Sequence, residues 1–257
     1  MKERMLNSDQ VIGIIFDGDD TLWMTEPLYD DARQRARDVV TASGGNGAEW
    51  EQLQRAIDVK NVATLGYSPD RFPTSCVQAY DQLCENHGLR QDAAVSALVR
   101  SAARSVFERD PELVTGVQEV LQLLRTRGAR LALLTKGDYS VQRRRVERSG
   151  LQKFFDLIRI VSDKSVGEMQ SVVAELGIPI DNMWMVGNSV RSDVLPALEA
   201  GIRAIWIRAH VWEYERAHDH LVDDRVVVVS EMSDVPLAVM RTAASRETEL
   251  TESLRRL

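Results

Sequence analysis

Two cysteines, Cys76 and Cys84, are too few for a disulfide framework in a chain of 257 residues, which excludes a small stapled secreted scaffold. Both fall in a stretch with helical spacing and are expected to be reduced, semi-buried side chains. Long apolar runs are missing as well. The run Val11–Phe16 is too short for a signal-peptide core, and nothing later approaches the roughly 20 apolar residues that a membrane helix needs. Basic charge is not in excess: 32 Lys and Arg against 39 Asp and Glu leave a net charge of -7, with no general attraction for nucleic acid or acidic lipid. The glycines form neither a dinucleotide fingerprint nor a phosphate loop with its lysine, so a nicotinamide or ATP cofactor has no support. No internal repeat, low-complexity tract or long linker interrupts the chain. The expectation is a cytoplasmic protein with no nucleic-acid or membrane partner; the sequence carries no signal for oligomeric state.

What is present is the composition of a globular protein, 44% hydrophobic and 28% charged, long enough for one large domain or a core with a second module. Val11–Phe16 reads as a buried strand that ends abruptly at Asp17, Gly18, Asp19 and Asp20, because neighbouring carboxylates do not pack unpaired in an apolar layer. Helical spacing then recurs over Pro27–Ala42, Glu49–Leu65, Thr74–His87 and Asp92–Glu108. After Pro111 the pattern changes to alternation. Strands are predicted at Arg130–Thr135, Asp156–Val161, Met183–Val186, Arg203–Ile207 and Arg225–Val229. Helices Val117–Leu124, Ser140–Ser149, Gly167–Leu176 and Val194–Ala200 lie between them. Such alternation predicts an α/β fold with a doubly wound, mainly parallel, Rossmann-like sheet. Its first strand is cut off from the rest by the helical block, so the core is expected from residues 1–25 and 111–245. An all-helical cap over 26–110 is then inserted, with a polar tail at 246–257.

In an open α/β sheet, ligands gather outside the carboxyl ends of the strands. Polar clusters stand at four such ends: Asp17–Thr21, Thr135–Asp138, Ser162–Lys164 and Gly187–Asp193. In the first, one carboxylate is suited to attack phosphorus while another, two residues on, handles a proton. Mg²⁺ takes oxygen ligands, and Asp17, the Asp19 backbone carbonyl, Asn188 or Asp193, and water would make up its shell. The competing reading of Asp-Gly-Asp-Asp-Thr alone is a tight turn that ends a strand.

Taken in order, these clusters resemble the motifs of haloacid dehalogenase-like hydrolases. Asp17-Gly18-Asp19-Asp20-Thr21 is similar to the family's Asp-x-Asp-x-Thr, which implies Asp17 as nucleophile and Asp19 as general acid and base. By the same resemblance Thr135 binds a phosphoryl oxygen, and Lys164 holds the nucleophilic carboxylate and the phosphate together. The fourth, acidic motif corresponds to Gly187-Asn188-Ser189 and Asp193; Asn188 stands where an acid is commoner and brings a carbonyl oxygen without a charge. The dehalogenase and phosphonate-cleaving branches lack the acid at the position of Asp19, so the resemblance implies a Mg²⁺-dependent phosphatase acting on a small phosphorylated metabolite through an aspartyl-phosphate. A phosphosugar mutase and a catalytically silent ligand-binding or interaction protein on the same fold are the alternatives.

The helical insertion is expected to cover the carboxyl edge of the sheet and to choose the substrate. Within it the segment Lys60–Arg71 breaks helical order, making Lys60, Asn61, Tyr67 and Arg71 candidate substrate contacts; ordinary solvent-facing charge is the competing reading. His218 and His220 lack a third ligand and read as a surface turn. Trp184 and Trp206 read as core, and Arg143, Arg144, Arg145 and Arg148 as a solvated helix face.

Overall fold

A computed structural model describes residues 11–209, 212–215 and 222–240; His218, His220 and the tail from 246 lie outside the described residues. In chain order the strands are β1 (Gly13–Phe16), β2 (Trp23–Met24), β3 (Glu112–Leu113), β4 (Arg130–Lys136), β5 (Leu157–Val161), β6 (Met183–Gly187), β7 (Arg203–Ile207) and β8 (Val226–Val229). The helices are α1 (Glu26–Ala42), α2 (Gly47–Leu65), α3 (Arg71–His87), α4 (Ala93–Arg104), α5 (Val117–Thr126), α6 (Tyr139–Ser149), α7 (Val166–Leu176) and α8 (Leu195–Glu199). The chain divides into two compact units, one of residues 1–23, 113–136 and 150–257, the other of 24–112 and 137–149.

The first unit is built on a six-stranded sheet of order β5-β4-β1-β6-β7-β8, in which neighbouring strands all pair in parallel. Strands covered on both faces have no need of polar alternation, which is why β1 is a continuous apolar run, buried throughout. Gly13 lets β6 approach closely: a Cβ there would stand 2.2 Å from Met183 Sδ, and the methionine side chain would have to shift. Ile15, Ala132, Leu134, Met185 and Ala204 form one face of the sheet's core with Met169, Val172 and Leu176 of α7 and Ala197 and Leu198 of α8. From β1 the chain proceeds to β4 and β5 on one side, then returns to β6 and runs outward through β7 and β8. The strand order therefore reverses beside β1 and β6, the place where a doubly wound sheet opens a crevice at its carboxyl edge.

The second unit is helical. In α1, Leu28, Ala32, Ala36 and Val40 are buried at four-residue spacing, and they pack with Trp50 of α2, Phe72, Cys76, Ala79, Tyr80 and Leu83 of α3, and Val99 and Ala103 of α4. Side chains cap two of these helices: Asn46 accepts from the backbone of Ala48 and Glu49 at the start of α2, and Asp92 from Ala94 at the start of α4.

Three expectations change here. The break expected over Lys60–Arg71 narrows to residues 66–70: α2 runs through to Leu65, as the spacing of Glu49–Leu65 predicts, and is stopped by Gly66 at φ 56°, a conformation that glycine adopts without strain. Cys76 and Cys84 are fully buried rather than semi-buried, with burial pushing the Cys76 thiol pKa up. In α6, Arg143, Arg144 and Arg148 face solvent as expected, while Arg145 is buried.

Candidate active site

Asp17 occupies the last rung of the β1 ladder, its backbone N–H donating to Val186 O at 2.9 Å. The chain then turns sharply, with the N–H groups of Thr21, Leu22 and Trp23 all directed at Gly18 O and Asp20 held at φ 57°, a left-handed conformation that aspartate tolerates better than most residues. Gly18 has no room for a side chain: a Cβ would stand 2.5 Å from the Trp23 ring and 2.9 Å from Thr135 Oγ1. This crowding brings the end of β1 against the end of β4. Trp23, fully buried, donates its indole N–H to Asp19 Oδ1 at 2.6 Å.

Lys164 follows β5, just before Ser165 caps α7 by accepting from Glu168 N–H. Its ammonium is buried and contacts Asp17 Oδ1, and it reaches Asp193 Oδ1 at 2.6 Å. Asp193 comes from a π-helical turn, Val190–Val194, after β6; such wide turns occur inside helices where function requires a re-aimed side chain. The second oxygen of Asp193 accepts from Ser189 N–H at 3.0 Å. Thr21 Oγ1 lies 3.2 Å from Asp17 Oδ2 and 3.3 Å from Asn188 Oδ1, and the Trp206 indole donates to the Asn188 backbone carbonyl at 3.0 Å. Thr135 is wholly buried, and its hydroxyl has no hydrogen-bond partner among the described residues.

The electrostatic balance is uneven. Burial pushes the Asp17 pKa up to about 7; Lys164 opposes this, while the neighbouring charges of Asp193 and Asp19 add to it. Lys164, with two carboxylates against it, is held firmly protonated in spite of its burial. One buried lysine thus faces Asp17 and Asp193, with Asp19 close by, and negative charge is left over.

The available donors for a cation are hard oxygens: Asp17, Asn188, Asp193 and the Asp19 backbone. Among the described residues no three His, Cys, Asp or Glu side chains converge as metal ligands, so the third side-chain donor of this set is an amide. That chemistry, with the uncompensated charge, fits Mg²⁺ and does not fit a zinc site, which draws on His and Cys.

Of the residues singled out from sequence, the structure brings Asp17, Asp19, Thr135, Lys164, Asn188 and Asp193 together at the carboxyl edge of β1, β4, β5 and β6. Lys60, Asn61, Tyr67 and Arg71 belong to the helical unit. There Lys60 is exposed, Asn61 donates to Ser75 Oγ and Gln78 Oε1, and Tyr67 lies 5.9 Å from the Arg71 guanidinium. Arg71 is buried, paired with Asp58 at 3.0 Å. Trp184 is core, and Trp206 is core with one polar task, the bond to Asn188.

Sequence reasoning gave no separate role to Lys136, Ser189 and Ser192, which stand inside the polar clusters it marks, and passed over Trp23 and Glu215. Lys136 Nζ reaches Glu215 Oε1 at 2.8 Å and Ser192 Oγ at 2.5 Å, and both seryl hydroxyls donate to Glu215 Oε2. Only the position of Lys136 beside Thr135, and of the serines beside Asn188 and Asp193, hinted at these contacts.

A family model for haloacid dehalogenase-like hydrolases matches residues 13–201. Pyrimidine 5'-nucleotidase YjjG of Escherichia coli (strain K12) is 23% identical over 209 residues, 77% of this chain and 86% of that protein. A haloacid dehalogenase-like hydrolase structure from Xanthomonas campestris superposes with a TM-score of 0.75 at 28% identity, covering 93% of this chain and 95% of that one. The L-2-haloacid dehalogenase structure from Xanthobacter autotrophicus shares the fold at 17% identity and a TM-score of 0.58, over 90% and 98% of the two chains.

Proposed function

The chain belongs to the haloacid dehalogenase-like hydrolase family, and from that premise we propose that it hydrolyses the phosphate monoester of a small metabolite through an aspartyl-phosphate on Asp17, with Mg²⁺ as cofactor. The observation that carries the reading is the buried Lys164 ammonium held between Asp17 and Asp193, with Asp19 two residues beyond the nucleophile and hydrogen-bonded to Trp23. A dehalogenase, which attacks carbon and expels halide, has no use for that second carboxyl; expulsion of an alkoxide from phosphorus does. The Thr135 hydroxyl, without a hydrogen-bond partner among the described residues, adds support, since a buried donor of this kind matches an incoming phosphoryl oxygen.

In the proposed sequence an Asp17 oxygen attacks phosphorus in line, and the P–O bond to the leaving group breaks with its electron pair going to the leaving oxygen. Asp19, in its acid form, gives that oxygen a proton. Lys164 and Thr135 hold the equatorial phosphoryl oxygens as charge builds on them. Asp19, now a carboxylate, takes a proton from water, the water oxygen attacks the Asp17-bound phosphorus, and inorganic phosphate leaves with the Asp17 carboxylate restored. Mg²⁺, held by oxygens of Asp17, Asn188, Asp193 and the Asp19 backbone, supplies positive charge against the phosphoryl group when bound.

The choice of leaving group is assigned to the helical insertion, with the exposed Lys60 as the candidate contact; Asn61, Tyr67 and Arg71 already have partners inside that unit. The chain is read as a cytoplasmic enzyme, in keeping with the absence, among the described residues, of any helix long and apolar enough to cross a membrane. Phosphate release from a panel of sugar phosphates, hydroxy-acid phosphates and nucleoside monophosphates, with Mg²⁺ or chelator, tests the reading. Mg²⁺-dependent release that disappears in Asp17→Asn is the expected result. Isomerised phosphosugar without phosphate release points instead to a mutase, and binding without turnover to a silent relative.

A further inference from the structure

Residues 212–215 follow β7, beyond the segment that matches the family model, yet they return to the catalytic loops. Glu215 sits in a short 3-10 turn, Glu213–Glu215, with its side chain 12% exposed and that of its ion-pair partner Lys136 11% exposed. One carboxylate oxygen accepts from Lys136 at 2.8 Å; the other accepts from Ser189 at 2.7 Å and from Ser192 at 2.6 Å. Lys136 ends β4 while the serines follow β6, and β1 lies between those strands, so the network passes across the strand end that carries Asp17. The segment is anchored from the same loop: Arg191 donates to the Tyr214 carbonyl at 3.2 Å and to its hydroxyl at 3.0 Å, with its guanidinium 4.1 Å from the ring centre.

We propose that Glu215 is a positioning residue that sets the geometry of the Gly187–Asp193 loop for Mg²⁺; the proposal rests on the phosphatase reading and names the device that shapes its metal site. The route is explicit. Ser189 accepts from Ser192 N–H at 3.0 Å, donates its own N–H to Asp193 Oδ2 and accepts Asp193 N–H at its carbonyl at 3.0 Å. Each serine has one hydroxyl proton, and both protons go to Glu215; removing that acceptor loosens the loop backbone, whose Ser189 N–H holds the Asp193 carboxylate and which carries Asn188 next to it. Acceptors in the shell around metal ligands act in this way in general.

The test is calorimetric titration of the full chain with Mg²⁺, alongside the Mg²⁺ half-saturation of turnover and the KM for p-nitrophenyl phosphate. Glu215→Ala is expected to weaken Mg²⁺ binding about tenfold or more, the range for lost outer-shell partners, while KM at saturating Mg²⁺ stays within a factor of about three. Glu215→Gln keeps an acceptor for the serines and loses the pairing with Lys136, so it is expected to fall between Ala and wild type. A residue that only stabilises the fold would lower the melting temperature and leave the Mg²⁺ affinity of the folded fraction alone. Affinity within twofold of wild type in folded Glu215→Ala, or in Glu215→Gln should the alanine variant not fold, overturns the proposal. A wild-type chain that binds Mg²⁺ yet releases no phosphate overturns the phosphatase reading and leaves the Glu215 comparison decisive; one that binds no Mg²⁺ overturns both.

Discussion

Each unit of the molecule buries a lysine or arginine against aspartate, and the two arrangements are not alike. In the helical unit Arg71 meets Asp58 one to one, and Arg33 beside it meets one buried carboxylate, Glu26, with Asp30 out in solvent and Gln54 as a hydrogen-bond partner. In the sheet unit a single Lys164 meets both Asp17 and Asp193, with Asp19 adding its field. A balanced pair is closed in charge, with nothing left for a counter-ion to neutralise. An unbalanced cluster is held open by the fold, and its excess charge and its Thr135 hydroxyl, without a partner among the described residues, are what a cation and a phosphoryl group would complete. Buried charge alone therefore does not mark a site; the mismatch does.

Asp17→Asn makes the sharpest break in this comparison, because it should help the fold while abolishing the chemistry. Turnover is expected to fall by about 10⁴-fold or more, as for other nucleophile or triad removals. Stability in chelator is expected to move the other way with pH. The folded Asp17 pKa, near 7, lies above its ordinary value of 3.8, so the native state retains a proton that the unfolded chain gives up. Wild type should lose stability relative to the variant as pH rises from about 4 through 7, with the gap constant above that. Melting temperatures of both proteins across that range decide the matter; parallel curves would mean that the cluster carries no excess charge in solution.

The balanced pair should behave in the opposite sense. Asp58→Ala leaves the Arg71 guanidinium buried without its carboxylate and is expected to cost about 3–5 kcal/mol in denaturant unfolding. Burial itself pushes the Asp58 pKa up despite Arg71, so the pair is held by geometry against a desolvation cost. A double variant, Asp58→Leu with Arg71→Met, is expected to lose much less than the single one. Equal losses in both would show that the pair was never closed.

Much of this contrast is legible in the chain, and the illegible part has a common cause. Asp17, Thr135, Lys164 and Asp193 stand where apolar strands end in polar residues, a local pattern that the parallel sheet turns into one edge. The Lys136–Glu215 contact joins positions 79 apart with no pattern at either end, and only the tertiary path of the chain after β7 creates it. Arg71 and Asp58 look like solvent charges on helices because pairing across α2 and α3 leaves no trace in the spacing of either helix. Lys60 and Asn61 lie on the helix that the spacing of Glu49–Leu65 predicts, and the break expected alongside them begins only at Gly66. Local chemistry was visible in the sequence; partners distant along it were not.

Asn188 offers a gentler adjustment of the open cluster. As an amide it gives the cation site an oxygen without charge, and Thr21 holds it within 3.3 Å. Asn188→Asp is expected to tighten Mg²⁺ roughly tenfold, since affinity for hard cations follows the count of charged ligands, and to lower stability in chelator by enlarging the mismatch. Calorimetric titration and melting in the presence and absence of Mg²⁺ read both effects. A variant that gains no affinity would place Asn188 outside the metal's reach.

The smallest expected effect tests whether the second carboxylate is placed or merely present. Trp23 is fully buried and donates to Asp19 Oδ1 at 2.6 Å, so Trp23→Phe removes one N–H while keeping an aromatic ring over Gly18. A hydrogen bond of about 1–1.5 kcal/mol corresponds to a fall in kcat of roughly fivefold to tenfold. The fall should depend on the leaving group. An alkyl phosphate needs a proton from Asp19 and should suffer the full loss, whereas p-nitrophenyl phosphate, whose phenolate leaves unaided, should lose less. Equal losses for both substrates would show that the indole supports the turn and not the proton transfer, and Asp19 would then owe its orientation to the backbone between Gly18 and Trp23.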